Sequence, residues 1–335
     1  MPPTFSDRAR GASRILGTGH YAPERVLTNQ DLERMVDTSD EWITTRTGIK
    51  RRHIIADDQA TSDLAAAALE AALADAGLGH GDLDAVIVAT ATPDMLFPST
   101  ACVMQDRLGL PKIPVFDVSA ACSGFIYASL LANSLIASGQ FTTVGVIGAE
   151  TLTRFTDWQD RSTCVLFGDG AGAAIYGPGD GVRGVLAAYV GADGSLGRLL
   201  KLPAGGSRLP ASAKTVENHQ HFLYMEGSEV FKSAVRAMTF SAEQTLELAG
   251  LGSDQIDLLI PHQANIRIID ATAQRLGLPP ERVYVNVQEY GNTSAASIPI
   301  ALDEARRLGR APEGSTVLMV AFGAGFTWGS LLVRL

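Results

Sequence analysis

The chain has 335 residues and a net charge of −9, and 46% of its residues are hydrophobic while 19% are charged. This composition is typical of a compact enzyme with a large core, and the acidic balance argues against nucleic acid as the main partner. The three cysteines have neither paired nor metal-type spacing, which argues against a disulfide framework and a zinc site and favours a reducing, cytoplasmic compartment. No signal peptide or membrane-spanning run is visible, so we expect no membrane partner.

Strand-like and helix-like runs alternate along the chain. Residues 1–13 are polar and are predicted to form a loose tail. The runs that follow are a strand at 14–19, an alanine-rich helix at 61–76, a strand at 83–90, a helix at 98–108, a strand at 113–118, a helix at 125–137, a strand at 143–148 and an apolar segment at 165–176. Such alternation with continuous apolar strands predicts α/β layers with buried sheets. The glycine-, serine- and proline-rich segment 191–222 is predicted to be a surface loop with some short strands.

A cysteine lies at a predicted strand-to-helix turn. The apolar strand 113–118 runs into small residues, and the apolar run 125–137 behind them predicts a buried helix. Cys122 would then lie at a helix N-terminus, where free N–H groups and the helix dipole favour the reactive thiolate. Cys122 is therefore a candidate nucleophile, although this setting alone leaves inert packing equally open.

The second half of the chain repeats motifs of the first half in the same order. Three blocks match: 76–79 with 249–252, 107–111 with 275–279, and 162–163 plus 170–172 with 315–316 plus 323–325. The repeat predicts two similar α/β halves, one at 14–180 that carries the cysteine and one at 181–335. A site at their junction would draw residues from both halves.

Polar residues interrupt the repeat at two places in the second half. His262 follows the run that matches the strand 83–90, and Asn292 lies in a glycine-flanked turn near the position that corresponds to Cys122. Open α/β sheets bind ligands at the carboxyl ends of their strands, which favours both residues as site residues. A structural histidine and ordinary turn chemistry are the alternatives.

The glycine-rich segment 168–172 is similar to a nucleotide-binding loop, but it does not open a βαβ unit with the required spacing. Because Gly-Ala-Gly recurs at 323–325, close backbone packing between the two halves is the favoured interpretation. The sequence contains no P-loop, and we expect no bound cofactor.

Taken together, these motifs resemble the β-ketoacyl-acyl carrier protein synthase III family of the thiolase-like superfamily. Cys122, His262 and Asn292 match the Cys-His-Asn triad of that family. The resemblance runs from about residue 15 to residue 335 and includes the motifs at 38–43, 45–49, 160–161, 168–174, 261–265, 291–297 and 322–329.

The resemblance implies an internally duplicated, five-layered α-β-α-β-α fold and a ping-pong acyltransferase. Cys122 would take an acyl group from acyl-CoA, with acetyl-CoA the implied primer. Malonyl-acyl carrier protein would then lose carbon dioxide and condense to 3-oxoacyl-carrier protein, which initiates type II fatty acid synthesis. His262 and Asn292 would stabilise the developing negative charge, and the backbone N–H groups of Cys122 and Ala324 would form the oxyanion hole. Family members often have glycine at the position of Ala324.

The resemblance also implies a binding path for coenzyme A. Trp42 and Arg161 resemble the pair that stacks on the adenine, and a flat aromatic ring with a guanidinium suits that role. Arg46 resembles a phosphate contact. Gly227 and Asn265 resemble the residues that contact the pantetheine arm.

Two further features of the family concern protein contacts. Lys232, Arg267 and Arg275 resemble a basic patch that docks the acidic carrier protein, with solvated surface charges as the alternative. Phe97 resembles an aromatic residue that reaches across a homodimer and closes the acyl pocket. A bulky ring there favours a short primer such as acetyl.

Four other functions compete with this one. A related synthase III would prime a polyketide or another secondary pathway with a different acyl group. Hydroxymethylglutaryl-CoA synthase would need a glutamate base near the cysteine, and no such motif is evident. A non-catalytic relative would be expected to lack the cysteine or the histidine. A cysteine hydrolase is disfavoured because the acyl-enzyme must be shielded from water.

Overall fold

The computed structural model describes residues 9–335, so residues 1–8 of the predicted loose tail lie outside the described part. Residues 9–13 are held in place, contrary to the prediction. The Gly11 N–H donates to the Val185 carbonyl at 2.8 Å, and the side chain of Asn133 donates to the Ala9 carbonyl at 3.0 Å. Ser13 already begins the first strand.

The secondary structure follows the predicted alternation. The strands, in chain order, are β1 (Ser13–Tyr21), β2 (Arg25–Thr28), β3 (Arg51–Ile54), β4 (Ala85–Ala89), β5 (Val115–Val118), β6 (Val144–Thr151), β7 (Asp169–Pro178), β8 (Gly184–Ala192), β9 (Leu200–Lys201), β10 (Tyr224–Met225), β11 (Leu258–Pro261), β12 (Thr316–Gly323) and β13 (Thr327–Arg334). The helices are α1 (Asn29–Glu33), α2 (Asp40–Thr47), α3 (Thr61–Ala76), α4 (Thr100–Leu108), α5 (Gly124–Ala137), α6 (Arg161–Cys164), α7 (Ala213–Glu217), α8 (Gly227–Ala249), α9 (Ile266–Arg275), α10 (Val287–Tyr290) and α11 (Ser297–Arg307). Within residues 9–335, no helix is both long and apolar enough to cross a membrane.

Two sheets of the same topology form the framework. The first has the order β1-β7-β6-β4-β5, and the second has the order β8-β13-β12-β11. In the first sheet β4 is parallel to both β6 and β5, in the second sheet β11 is parallel to β12, and the remaining neighbours toward β1 or β8 are antiparallel. In the second sheet, a parallel bridge between Leu259 of β11 and Val283 takes the place that β5 has beside β4 in the first sheet. The first sheet is built from residues before 180 and the second from residues after 183.

Five layers result from the way the helices cover these sheets. Helices α5 and α11 contact strands of both sheets and lie between them, and their apolar faces form the central core. Helices α3 and α4 cover the outer face of the first sheet, while α8 and α9 cover the outer face of the second. Buried α5 is apolar nearly all round because it packs against sheet strands on both sides.

Two of the three repeat blocks are equivalent in the structure, and the third is not. Gly77 and Gly250 end α3 and α8 with positive φ angles of 66° and 71°, a conformation that glycine adopts without strain. The segment 170–172, however, lies inside β7, whereas 323–325 forms the turn between β12 and β13. The prediction of a third equivalent block was wrong because α6 and its flanking loops separate β6 from β7, while a short turn joins β12 to β13.

The predicted surface loop at 191–222 contains a short strand, β9, as expected, and also a helix, α7, which was not predicted. The ring of His219 is paired with Asp157 at 2.8 Å between Nδ1 and the carboxylate. The His221 and Phe222 rings pack with centroids 4.0 Å apart. The two histidines are therefore packed surface residues.

Candidate active site

A cavity brings Cys122, His262 and Asn292 together. All three residues line it, its volume is about 160 Å³, and most of its remaining wall is apolar. The wall also includes Leu166, Phe167, Leu200, Met225, Val230 and Phe231. The cysteine comes from the first half of the chain and the other two residues come from the second, as the repeat predicted for a junction site.

A strained turn presents Cys122 at the start of α5. Residues 121–123 form a short 3₁₀ turn between β5 and α5, and Ala121 has a φ of +45°. This left-handed conformation is uncommon for a residue with a side chain, and such strain is held where the surrounding packing enforces it. Cys122 is a free thiol and is partly exposed toward the cavity. The strand-turn-helix setting predicted from the sequence is confirmed.

The Cys122 thiol is neutral at rest, which differs from the predicted thiolate. Burial raises the pKa of this thiol to about 12, and the nearby charge of Glu150 acts in the same direction. The Ser294 hydroxyl favours the ionised sulfur but does not reverse the shift in pKa. The thiol proton must therefore be removed as the sulfur attacks a substrate.

His262 is a neutral imidazole in a fixed orientation. It follows β11, its backbone N–H donates to the Val320 carbonyl at 2.8 Å, and burial lowers its pKa to about 3. Nδ1 lies 2.6 Å from the Ser297 hydroxyl oxygen, which also accepts the Gln263 N–H at 3.4 Å. Because Nδ1 is the one acceptor within reach of the Ser297 hydroxyl among residues 9–335, the hydroxyl proton is assigned to Nδ1 and the Nε2–H tautomer to His262. A neutral N–H donor is thereby available at the cavity.

Asn292 is fixed by the turn that precedes α11. Gly291 has a φ of +66°, and a Cβ there would lie 2.8 Å from the Leu166 carbonyl oxygen, so only glycine fits. The Asn292 N–H donates to that same carbonyl at 2.9 Å. The Ser294 N–H donates to Asn292 Oδ1 at 2.9 Å, which assigns the amide orientation. The Asn292 NH₂ group is then the second neutral donor of the site.

The β12–β13 turn lies directly against Cys122. A Cβ on Gly323 would come within 2.6 Å of the Cys122 backbone nitrogen. The Thr327 hydroxyl lies 2.9 Å from the Ala120 carbonyl and 3.2 Å from the Ala324 carbonyl, which ties the turn to the nucleophile's turn. Ala324 therefore follows the residue that packs on Cys122, and its role in the oxyanion hole stays a prediction.

Trp42, Arg46 and Arg161 come together at the protein surface. The guanidinium carbons of Arg46 and Arg161 lie 4.9 Å and 5.0 Å from the centroid of the Trp42 ring. These distances suit direct cation–π contact and leave no room for an adenine ring between Arg161 and Trp42. The Arg161 guanidinium therefore occupies the position over the Trp42 ring where the adenine was predicted to stack, and adenine stacking would require Arg161 to move.

Gly227 and Asn265 both line the cavity, at the starts of α8 and α9. The Asn265 side chain donates to the Arg46 carbonyl at 3.1 Å and accepts the Arg267 N–H at 2.9 Å. This amide links the cavity to the Trp42 cluster, so the predicted pantetheine and nucleotide contacts lie along one path.

The basic residues of the predicted docking patch lie on α8 and α9. Lys232 donates to Glu229 at 2.8 Å, Arg267 lies over the Phe231 ring at 5.5 Å, and Arg275 is exposed near the end of α9. Arg267 is next to the cavity-lining stretch, whereas Lys232 is already paired with a carboxylate. Phe97 lies apart from the cavity wall and is 83% exposed.

Sequence reasoning missed Glu150, Ser294 and Ser297. Glu150 is fully buried near the end of β6, accepts the Ser294 hydroxyl at 2.9 Å and lies close enough to Cys122 to affect its pKa. No motif in the sequence indicated a glutamate near the cysteine, and the structure corrects that point. Glu150 does not line the cavity, however, so it lacks the substrate access of a synthase base. The sequence feature that could have identified Glu150 is a carboxylate near the end of a buried apolar strand.

Within residues 9–335 there is no group of three histidine, cysteine or acidic side chains that could hold a metal ion. The residues that line the cavity supply a thiol nucleophile and two neutral hydrogen-bond donors. Such donors suit the negative charge that develops on a thioester oxygen.

Comparisons with known proteins match both halves of the chain. The family model described as 3-oxoacyl-[acyl-carrier-protein] synthase III matches residues 116–194, and the model of the C-terminal part of the same enzyme matches residues 246–335. The first match contains Cys122, and the second contains His262 and Asn292.

Individual relatives cover nearly the whole chain. The β-ketoacyl-[acyl-carrier-protein] synthase III of Caldanaerobacter subterraneus subsp. tengcongensis is 57% identical over 96% of this chain and 98% of the relative. The crystal structure of 3-oxoacyl-[acyl-carrier-protein] synthase III from Aquifex aeolicus has a TM-score of 0.89 at 50% identity, covering 96% of this chain and all of that chain. The priming β-ketosynthase of the R1128 polyketide pathway also has a TM-score of 0.89, at 37% identity and 99% coverage of both chains. The predicted thiolase-like α/β fold is confirmed by these matches.

Proposed function

The chain belongs to the 3-oxoacyl-[acyl-carrier-protein] synthase III family, and we propose that it initiates fatty acid synthesis by decarboxylative condensation. An acyl-CoA primer and malonyl-acyl carrier protein give 3-oxoacyl-carrier protein, CoA and carbon dioxide. The observation that carries the proposal is the convergence of Cys122, His262 and Asn292 on one apolar cavity. This cavity combines a nucleophile with two neutral donors.

Acyl transfer to Cys122 is the first half-reaction. The sulfur attacks the thioester carbonyl of acyl-CoA, the new carbon–sulfur bond forms, and the bond to the CoA sulfur breaks. The thiol proton of Cys122 leaves with CoA, so the net step is a neutral thiol exchange. Backbone N–H groups of Cys122 and Ala324 stabilise the tetrahedral oxyanion, and the contact of Gly323 with Cys122 supports their proximity.

Condensation is the second half-reaction. The malonyl carboxylate leaves as carbon dioxide, and its bonding electrons become an enolate whose oxygen accepts hydrogen bonds from His262 and Asn292. The enolate carbon attacks the acyl carbonyl, and the Cys122 sulfur leaves and takes up one proton from solvent. The pKa of His262, lowered to about 3, supports a neutral imidazole. Such a ring donates a hydrogen bond to the enolate oxygen and does not form an ion pair with the malonyl carboxylate.

Coenzyme A is proposed to enter along the path from the Trp42 cluster to the cavity. Gly227 and Asn265 contact the pantetheine arm, Arg46 contacts a phosphate, and Arg161 swings off Trp42 to admit the adenine. The link from Asn265 to the Arg46 carbonyl supports one continuous path. Replacing Trp42 with alanine would raise the KM for acetyl-CoA while leaving the KM for malonyl-carrier protein unchanged.

Acetyl-CoA is the proposed primer, and a homodimer is the proposed assembly. Met95, Leu96 and Phe97 form an exposed apolar tip whose side chains need a partner surface, with Leu96 76% and Phe97 83% exposed. Phe97 would close the acyl pocket of the partner protomer and exclude longer primers. Sedimentation of the protein as a monomer at micromolar concentration would contradict this assignment.

The carrier protein is proposed to dock on α8 and α9 beside the cavity mouth. Arg267, Arg275 and Lys232 supply positive charge within a chain of net charge −9, and local basic groups steer an acidic partner. Replacing Arg267 with glutamate would raise the KM for malonyl-carrier protein, with a smaller effect at high salt. We place the protein in the cytoplasm, since Cys102, Cys122 and Cys164 are all unpaired thiols.

Product formation from the two proposed substrates tests the function directly. Wild-type protein with acetyl-CoA and malonyl-carrier protein should yield acetoacetyl-carrier protein, and Cys122→Ser should yield none. A related synthase that primes a polyketide would condense another acyl-CoA in preference to acetyl-CoA in the same assay. Absence of product from every acyl-CoA would overturn the proposal.

A further inference from the structure

Glu150 is a buried carboxylate that the proposed mechanism does not use. It is 0% exposed, and its carboxylate accepts hydrogen bonds from four groups. These donors are the Thr92 hydroxyl at 2.6 Å, the Ser294 hydroxyl at 2.9 Å, the Ala91 N–H at 3.1 Å and the Thr90 hydroxyl at 3.3 Å. Burial raises the pKa of Glu150 while these donors lower it. Burying a carboxylate costs free energy even when donors surround it, so Glu150 is a candidate for a specific role.

The donors come from both halves of the chain. Thr92 follows β4 in the first half, and Ser294 follows Asn292 in the second half, 144 residues further along than Glu150. Glu150 therefore joins the strand end of one half to the site-forming turn of the other.

Ser294 carries the effect of Glu150 to the site. Its N–H donates to Asn292 Oδ1 at 2.9 Å, and its φ of +48° is a left-handed conformation that residues with side chains rarely adopt. The hydrogen bond from the Ser294 hydroxyl to Glu150 helps to hold this residue in its unfavourable conformation. Without that bond the Ser294 N–H would be free to move, and the Asn292 amide would lose its fixed orientation.

We propose that Glu150 is a positioning residue for the condensation half-reaction, acting through Ser294 to aim the NH₂ group of Asn292 at the enolate oxygen. This inference rests on the proposed function and names a residue that lies behind the cavity wall. Because acyl transfer to Cys122 does not use the Asn292 amide, Glu150 affects the two half-reactions unequally.

Glu150→Gln is the variant that tests this role. Glutamine keeps the size of the side chain but offers one acceptor oxygen in place of two, so the Ala91 N–H, which can only donate, competes with the Ser294 hydroxyl for that oxygen. Asp169→Asn is the matched control. Asp169 lies on the neighbouring strand, is equally buried and accepts the Ile55 N–H at 2.8 Å and the Thr153 N–H at 2.9 Å, without a contact to Ser294.

The two half-reactions are measured separately. Intact mass after a pulse of acetyl-CoA reports acylation of Cys122, and carbon dioxide release from malonyl-carrier protein reports decarboxylation. Glu150→Gln should lower decarboxylation roughly tenfold, the loss of one hydrogen bond to a charged group. It should not slow acylation, because it removes a carboxylate charge that raises the pKa of the Cys122 thiol. Asp169→Asn should leave the ratio of the two rates unchanged.

Ser294→Ala provides a second, smaller change to the same link. It should lower decarboxylation as Glu150→Gln does, and it should slow acylation to a smaller extent, because the lost hydroxyl also favours the ionised Cys122 sulfur. The double variant should be no slower in decarboxylation than the slower single variant, because both remove one connection. If Glu150→Gln does not fold, the two rates of Ser294→Ala decide the outcome, since the proposal requires a larger loss in decarboxylation than in acylation.

Two results would overturn the role of Glu150. One is an unchanged decarboxylation rate in the folded variant, and the other is an equal loss of both half-reactions. Failure of the proposed function would look different, since wild-type protein would then release no carbon dioxide from malonyl-carrier protein.

Discussion

Nδ1 of His262 lies 2.6 Å from the hydroxyl oxygen of Ser297. This contact orients the imidazole and assigns its proton to Nε2, the nitrogen that is left for a substrate oxygen. Both residues are buried, so the contact is shielded from bulk solvent. Ser297 does not react with substrate, but its contact determines which ring nitrogen of His262 donates the hydrogen bond in condensation.

Ser297→Ala should slow condensation through this contact. We expect a roughly tenfold loss in the rate of decarboxylation of malonyl-carrier protein, because the ring loses its orienting bond, and little change in the pulse acylation of Cys122. Ser330→Ala is the matched control, since Ser330 is equally buried and donates to the Ser241 carbonyl at 2.6 Å, away from the cavity. Equal activity of the two variants would show that the Ser297 contact is not needed.

Neutral His262 should make folding stability depend on pH. Its pKa is about 3 in the folded protein against an ordinary value of 6.5, so the unfolded chain binds one more proton between these values. Stability is therefore lost as the pH falls below about 6.5, and at about pH 5 the loss is about 2 kcal/mol. Denaturant unfolding of wild type and His262→Gln at about pH 7.5 and about pH 5 measures it. Parallel losses in the two proteins would contradict the assignment.

The raised pKa of Cys122, about 12, should appear in its alkylation by iodoacetamide. The rate at Cys122, followed by peptide mass, should keep rising with pH through about pH 9, because only the thiolate reacts. Cys122→Ser controls for reaction at the exposed Cys102 and the buried Cys164. A plateau below about pH 8 would mean that the N-terminus of α5 outweighs burial and that the resting group is a thiolate.

Gly323→Ala should abolish acyl transfer. The added Cβ would lie 2.6 Å from the Cys122 nitrogen, so the turn must move away from the nucleophile and the oxyanion hole must open. We expect at least a 100-fold loss of pulse acylation, on the order of the loss of an oxyanion donor. Gly206→Ala is the control, since no atom lies within 4 Å of a Cβ there. Normal acylation of Gly323→Ala would rule out this turn as part of the oxyanion hole.

Local patterns were sufficient to predict many of the elements and to mark three candidate residues. The helix predicted at 61–76 is α3, Thr61–Ala76, because an alanine-rich run followed by glycine needs no tertiary context. Cys122 and His262 were candidates because each follows a predicted strand, and Asn292 because it lies in a glycine-flanked turn; the family resemblance then joined them as a triad. The matching turns at 121–123 and 294–296 then bring them together.

Properties that depend on contacts between distant residues were out of reach. The state of the Cys122 thiol follows from burial between two halves, which no local pattern reports. Glu150 meets Ser294 only after both sheets have formed, and Arg161 packs on Trp42 across a long separation in sequence. The prediction of a third equivalent repeat block was wrong for a related reason. Gly-Ala-Gly allows close backbone packing in two different places, since Gly172 packs against α11 and Gly323 packs against Cys122.

The most direct test of the central claim is an intact-mass pulse with an equimolar panel of acyl-CoAs, applied to wild type, Cys122→Ser, His262→Ala and Asn292→Ala. We predict one acetyl adduct on wild type and on both donor variants, no adduct on Cys122→Ser, and loss of carbon dioxide release from malonyl-carrier protein in the two donor variants. A longer or branched adduct would keep the chemistry and reject acetyl as the primer. Acylation of Cys122→Ser, or no adduct on wild type, would contradict the account.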